Sequence, residues 1–213
     1  MGTLILVRHA TTAASASGRN LGQRSDPPLA PEGHVLAEGL ANALVAEIAE
    51  LPRDEVRLLS SPAQRCRQTI EAVARQLTGE APPIEIEPGL LEIDYGDWDG
   101  LTADECRAQD PDARRAWEED PFENACPGGE SGADVARRAF AIFEPLETWL
   151  AADRGRLAIV VAHNHVNRLR LCAILGWPMR EYRDRLSQDP AGYSIIGFGS
   201  GPPVMRRVNA APA

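Results

Sequence analysis

Arg8-His9 and His163 are the residues of this chain best suited to carry chemistry, because each histidine ends an apolar, β-rich run. Leu4-Ile5-Leu6-Val7 leads into Arg8-His9, and Ala158-Ile159-Val160-Val161-Ala162 leads into His163-Asn164-His165. Such runs read as strands covered on both faces of a sheet. In open α/β sheets ligands sit beyond the carboxyl ends of the strands, so both imidazoles are expected in one crevice. A neutral imidazole nitrogen can attack phosphorus, and the Arg8 guanidinium can hold phosphoryl oxygens and offset the charge of transfer. His163 and the amides opening the helix after it can donate to the same oxygens. Together these groups suit a dianionic phosphoryl group and an enzyme. Taken singly, either histidine could instead be a strand-end residue that orients a loop.

Two further segments supply matching chemistry. Ser60-Ser61-Pro62-Ala63-Gln64-Arg65 follows a strand and starts a helix, which brings amide donors to the same crevice edge. Arg65, about one turn into that helix, can reach a bound phosphate, whereas Arg67 reads as a surface residue. Glu92 stands just after Leu90-Leu91 and ahead of the turn Tyr95-Gly96-Asp97-Trp98-Asp99-Gly100. A carboxyl group that protonates a leaving oxygen needs partial burial to raise its pKa, and Glu92 meets that need better than Asp94, Asp97 or Asp99. His34 falls on a helical pattern away from the strand ends and reads as a surface residue.

The elements that must position these groups alternate along the chain. After the first strand, residues 10–30 are polar and rich in Gly, Ser and Pro, a long surface loop. A helix opens at Pro31 with Leu36, Leu40, Leu44 and Ile48 on one face. A strand follows at 56–60, then a helix capped by Ser61-Pro62 that runs to about Leu77, then a short edge strand at 84–86. Residues 101–126 are charged and form a lid-like excursion. Ser131 begins a strong helix, and a strand at 157–162 leads to a helix stopped by Gly176 and Pro178. Segments 193–198 and 203–207 read as a closing pair of strands. The alternation predicts a single α/β domain over residues 1–213, a three-layer α/β/α sandwich with a mostly parallel sheet.

Composition narrows the function classes. The 213 residues are 44% hydrophobic and 25% charged, as in ordinary globular proteins. A net charge of -9 argues against a nucleic-acid partner, which needs a basic footprint, yet permits a small phosphorylated substrate in a local cationic pocket. No stretch approaches the roughly 20 apolar residues of a membrane span, and none reads as a secretory signal. Cys66, Cys106, Cys126 and Cys172 lie far apart without a CxxC pair, which predicts reduced thiols in a cytoplasmic protein and no metal site. A homodimer is expected only on the general frequency of dimers.

In conjunction and in this order, these segments resemble the histidine phosphatase superfamily, with its phosphoglycerate-mutase-like fold, over nearly the whole chain. The resemblance rests on Arg8-His9, Gly18-Arg19, Gly22 and Asp26-Pro27-Pro28-Leu29-Ala30-Pro31-Glu32-Gly33. It continues through Ser60-Ser61-Pro62, Arg65, Gln68-Thr69, Leu91-Glu92, Gly96-Asp97-Trp98-Asp99-Gly100, Pro127-Gly128-Gly129-Glu130-Ser131 and Val161-Ala162-His163-Asn164. It implies that His9 is the nucleophile that becomes phosphohistidine. Arg8, Arg65 and His163 would form the phosphate pocket, and Glu92 would be the proton donor, with no metal or other cofactor. Ser15 stands where an asparagine often helps to bind phosphate, so it is a candidate substrate-binding residue. Arg19, Gln23, Arg24 and Asn164 are further candidates for substrate recognition. Asp97, Trp98 and Glu130 are expected to support the site rather than act in it. The chain departs from the family at Ala10, Thr11, Asn164, His165 and Asn167; His165 reads from its position as a supporting or structural residue, while the resemblance, with a small residue usual there, implies that it narrows the pocket mouth.

The resemblance leaves three activities to weigh. Mutases of the family carry a long basic insertion that retains a bisphosphorylated intermediate. Residues 101–126 are short and rich in acid (Asp104, Glu105, Asp110, Asp112, Glu118, Glu119, Asp120, Glu123), which favours hydrolysis of a phosphomonoester over mutase-type transfer. An inactive phosphate-binding scaffold would lack one of the core groups, and none is missing.

Overall fold

Strand β1 (Gly2–Arg8) is central in a six-stranded sheet. The computed structural model describes residues 1–49, 51, 54–77 and 82–212. The other strands are β2 (Glu55–Ser60), β3 (Ile84–Ile86), β4 (Arg156–Ala162), β5 (Tyr193–Phe198) and β6 (Val204–Ala210). Their spatial order is β3-β2-β4-β1-β5-β6. The β3–β2, β2–β4 and β4–β1 pairs are parallel, while β5 and β6 join antiparallel, so the sheet is mostly parallel as expected.

Strand alternation builds two cores from the same run of sequence. Leu4 and Leu6 of β1 join a cluster under α6 (Gly132–Ala152) and α7 (Asn164–Ile174). Ile5 and Val7 join a second cluster with α2 (Pro31–Ile48) and α3 (Gln64–Gln76) on the opposite face. All four of these β1 side chains have no exposed surface. Helices therefore cover both faces, which is the α/β/α layering read from the sequence.

Helix starts follow local chemistry. Pro31 opens α2, where its fixed φ suits the first turn. Ser131 caps α6 through a capping box with Asp134. α3 departs from expectation: it starts at Gln64 after Ala63, which offers no capping side chain, and its first amide, Gln64 N–H, donates instead to Asp26 Oδ1 at 2.7 Å. The Ser61 hydroxyl, read as part of that cap, lies 2.8 Å from His163 Nε2 and accepts only a long 3.4 Å bond from Ala63 N–H, ahead of the helix. The loop after His9 contains a short helix, α1 (Ala13–Ala16). The excursion folds into α4 (Ala103–Gln109) and α5 (Pro111–Glu119), and buries Cys106 and Trp117 in the first core.

Strand register sets the site. Arg8 pairs with Ala162 and Ser60 with Val161, so β1, β2 and β4 end level with one another. The next residues extend the ladder: His9 N–H donates to Ala162 at 3.0 Å and Ser61 N–H to Val161 at 3.1 Å.

Candidate active site

His9 is 5% exposed, and its Nδ1 lies 2.8 Å from the Ala10 carbonyl. A carbonyl can only accept, so Nδ1 carries the proton and Nε2 the lone pair. Ala10 N–H donates in turn to Thr69 Oγ1 at 3.1 Å, and that hydroxyl donates to the Arg65 carbonyl at 2.7 Å. Burial pushes the His9 pKa down to about 3, with the Arg65 and Arg8 cations adding to the effect. The imidazole is therefore neutral across the physiological range and fit to act as a nucleophile.

His163 faces His9 with ring centroids 5.2 Å apart. Its Nε2 lies 2.8 Å from Ser61 Oγ, and its Nδ1 lies 3.3 Å from Arg65 Nη2. A guanidinium only donates, so here Nδ1 accepts and Nε2–H donates to Ser61. Burial, followed by the Arg65 cation, holds the His163 pKa well below the usual histidine value. Arg65 is 1% exposed, donates to the Gly22 carbonyl at 3.1 Å and approaches Asp26 at 3.8 Å. Arg8 is anchored by donation to the Gln188 carbonyl. Cys66 Sγ lies 3.4 Å from His163 Nε2, and burial pushes its thiol up to about 12, so it stays protonated.

Glu92 reaches the same place from the opposite wall, but its ionisation differs from expectation. Burial does push its pKa up. The His165 ring, His163 and the Ile93 amide pull it further down, and the carboxyl ends below the usual carboxylate range. Its Oε1 accepts from Ile93 N–H at 3.0 Å and from His165 N–H at 3.3 Å, at the amino end of α7. Amide donors and a helix N-terminus both favour the anion, which is why the simple burial argument fails here. The backbone is held as firmly: Arg138 donates to the carbonyls of Gly89, Leu91 and Glu92, and pairs with Glu130 at 2.8 Å. Glu130 Oε2 also accepts from Asp94 N–H at 2.9 Å. Gly96 (φ +56°) and Gly129 let these two segments touch, since a Cβ on Gly96 would meet the Pro127 carbonyl at 2.1 Å.

A cavity of about 200 Å³ joins Arg8, His9, Glu92 and Asn164 to Ser15 and Arg19. Ser15 lines it, yet its hydroxyl is closed into a capping box with Thr12 rather than left open for phosphate. Arg19 is likewise present but tied to Glu105 at 2.9 Å and to the Gly100 carbonyl at 2.7 Å. Gln23 sits beside Arg65 on a neighbouring cavity of about 170 Å³ and donates to the Glu92 carbonyl at 2.8 Å. Arg24 lines neither of these cavities: it turns outward to Asp97 at 3.4 Å. His165 takes the supporting place read from its position, not the pocket mouth that the resemblance implied. It is 1% exposed and packs behind Glu92 against Tyr95 and Tyr182, away from the pocket mouth. His34 and Arg67 are exposed, as read.

Sequence reasoning missed Ser61 as the partner of His163, and Arg138 as the clamp on Glu92. Arg138 was findable as a cation two turns beyond Glu130, in the helix that the Gly-Gly-Glu-Ser motif begins. Among the described residues, no group of three or more His, Cys, Asp or Glu could hold a metal ion, and no helix is long and apolar enough to cross a membrane.

Comparison with known proteins agrees with this geometry. A profile of the histidine phosphatase superfamily (branch 1) matches residues 4–211. Phosphoserine phosphatase 1 of Hydrogenobacter thermophilus is 31% identical over 213 residues, covering 98% of this chain and 92% of that protein. Glucosyl-3-phosphoglycerate phosphatase of Mycolicibacterium vanbaalenii is 33% identical, covering 83% and 75%. The solved structure of a mycobacterial glucosyl-3-phosphoglycerate phosphatase in complex with VO3 superposes with a TM-score of 0.82 at 26% identity, covering 99% of this chain and 100% of that one. These relatives are named phosphatases, which supports phosphomonoester hydrolysis. With a match spanning almost its entire length, the chain belongs to the histidine phosphatase superfamily, branch 1.

Proposed function

We propose that the protein hydrolyses a small phosphomonoester through a phosphohistidine on His9, without a metal ion. The observation that carries this reading is the neutral His9 imidazole, its Nε2 lone pair free, set among Arg8, Arg65 and His163. In the first step His9 Nε2 bonds to phosphorus as the bond to the leaving oxygen breaks. Arg8 and Arg65 neutralise the phosphoryl oxygens; as Arg65 turns from His163 Nδ1 to the substrate, His163 takes the other tautomer, donating Nδ1–H to a phosphoryl oxygen while its Nε2 accepts from the Ser61 hydroxyl. Glu92 is ionised in the free protein. A phosphate dianion beside it raises its pKa, because like charges disfavour each other, so Glu92 takes up a proton with the substrate and gives it to the leaving alcohol. The resulting carboxylate then assists water in cleaving the phosphohistidine. Fixed positioning and charge supply most of the rate.

Hydrolysis is favoured over mutase-type transfer by the excursion, whose arginines are spent on its own acids: Arg107 pairs with Asp104 and Glu118, Arg114 with Glu118, and Arg115 with Asp112. The test is phosphate release from a panel of small phosphomonoesters in excess chelator. The intact protein is expected to release phosphate, and His9→Ala to lose activity by about 10³-fold or more, as when a nucleophile is removed. Equal turnover by the variant, or abolition by chelator, would overturn the reading.

A further inference from the structure

Asn209 stands on the edge strand β6 and lines neither cavity of the site, yet its side chain is committed to a single turn beside Arg8. Its Oδ1 accepts from Asp189 N–H at 2.8 Å. Its Nδ2 donates to Asp189 Oδ2 at 2.8 Å and to Ser187 Oγ at 3.2 Å. Its own N–H donates to Ser194 Oγ of β5 at 3.1 Å. Asn209 holds φ +49° to do this, in the left-handed region that asparagine tolerates better than most residues. The turn fits closely round the side chain: a Cβ on Gly192 would meet Asn209 Oδ1 at 2.4 Å.

The Gln188 carbonyl and the Asp189 N–H belong to one planar peptide group. Its carbonyl end accepts from Arg8 Nη1, and its N–H end donates to Asn209. Fixed at both ends, this peptide cannot rotate without breaking both bonds, and each bond polarises the other. Asn167 of α7 donates to Gln188 Oε1 at 3.3 Å and holds the buried Gln188 from the core side. The same turn grips the backbone of the nucleophile. Arg8 N–H donates to the Gly192 carbonyl at 3.0 Å, and Ala191 N–H donates to the His9 carbonyl at 3.3 Å. Ala191 sits at φ +57°, a conformation that alanine keeps only where its surroundings overdetermine it.

We infer that Asn209 is a positioning residue for phosphoryl binding: through the Gln188–Asp189 peptide it sets the reach of the Arg8 guanidinium into the His9 cavity. Without the Asn209 acceptor the Asp189 N–H is free to turn, the Gln188 carbonyl turns with it, and Arg8 loses the anchor that aims it. The inference rests on the reading of Arg8 as a phosphoryl ligand, and binding tests it apart from catalysis.

Asn209→Gly removes the side chain and accepts the left-handed φ, so the backbone keeps its course. The experiment compares it with the intact protein by calorimetric binding of inorganic phosphate and by turnover of p-nitrophenyl phosphate, with folding checked by thermal melt. The phosphate Kd is expected to rise, and kcat/KM to fall, by about tenfold, the scale of one charge-assisted hydrogen bond. The exchange Asp189→Asn with Asn209→Asp swaps amide and carboxylate across their own contact and keeps an acceptor on position 209. It should return both quantities to within about threefold of the intact protein. A lowered melting temperature with an unmoved phosphate Kd overturns the inference, as does an exchange variant no better than Asn209→Gly. If Asn209→Gly does not fold, hydrogen exchange of the Asp189 amide in the intact protein decides. Saturating phosphate should slow that exchange, since a ligand that needs the turn must stabilise it in return; exchange indifferent to phosphate overturns the inference. Weaker phosphate binding by the variant, with no turnover by the intact protein, would sink the hydrolase reading alone. Turnover with an unmoved phosphate Kd would sink the positioning role alone.

Discussion

At the scale of single residues the chemistry is set by which nitrogen and which oxygen hold protons. The Ala10 carbonyl fixes the His9 proton on Nδ1, and burial beside two arginines keeps the ring neutral. The sign of the pH effect follows. His9 titrates near 6.5 when unfolded and at about 3 when folded, so the unfolded chain binds the proton first on acidification. Stability contributed by neutral His9 is present above pH 6.5 and is lost as pH falls toward 3. Glu92, held below its ordinary carboxylate range, contributes stability that is present above its unfolded pKa of 4.5 and is also lost on acidification. NMR titration of the His9 ring is predicted to show no protonation between about pH 5 and 8, a midpoint of 3 being far outside that interval. A His9 midpoint near 6.5 would contradict the assignment of a neutral, desolvated nucleophile.

Elements decide whether those residues meet. The ends of β1, β2 and β4 were legible as buried runs that stop at polar residues, and so were the Pro31 and Ser131 helix starts. Arg8, His9, Arg65, Glu92 and His163 were legible for the same reason: each follows an apolar run or opens a helix. Tertiary hydrogen bonds were not legible. Ser61 looked like a cap because caps are local, while its bond to His163 spans two parallel strands. Glu92 was assigned a raised pKa from burial alone, because the α7 amides that stabilise its anion lie more than seventy positions away. Arg138 shows the same dependence on distant partners. It holds three carbonyls around Glu92, and hydrogen bonds from a charged donor contribute about 1.5–3 kcal/mol each. Arg138→Met is therefore predicted to lower the melting temperature and to cut kcat by about tenfold or more through misplacement of Glu92. Unchanged kcat in a destabilised variant would reduce the Arg138–Glu130 clamp to a purely structural device.

At the scale of the whole molecule, an acidic chain keeps its positive charge where the strands end. Most arginines elsewhere are paired across the surface, as Arg57 is with Glu85 and Arg156 with Glu55. Surface pairs of this kind add little stability; with acids in surplus by nine, the exterior stays net acidic around a cationic crevice. The layered α/β/α architecture was readable from alternation along the chain. The placement of the excursion was less so: its charged sequence hides Trp117 and Cys106, which join the core on the α6 side. That docking carries Trp117 under Arg183 and ties the excursion to the crevice wall. The excursion offers no spare cation to retain a second phosphorylated intermediate, so the phosphoryl group on His9 should pass to water. The most direct measurement is rapid quench into alkali, where phosphohistidine survives, followed by peptide mass spectrometry. During turnover of a good substrate, the peptide containing His9 is predicted to carry one phosphoryl group, which disappears with release of inorganic phosphate once substrate is spent. A turning-over protein with no phosphoryl group on His9, or with one only on another residue, would contradict the account.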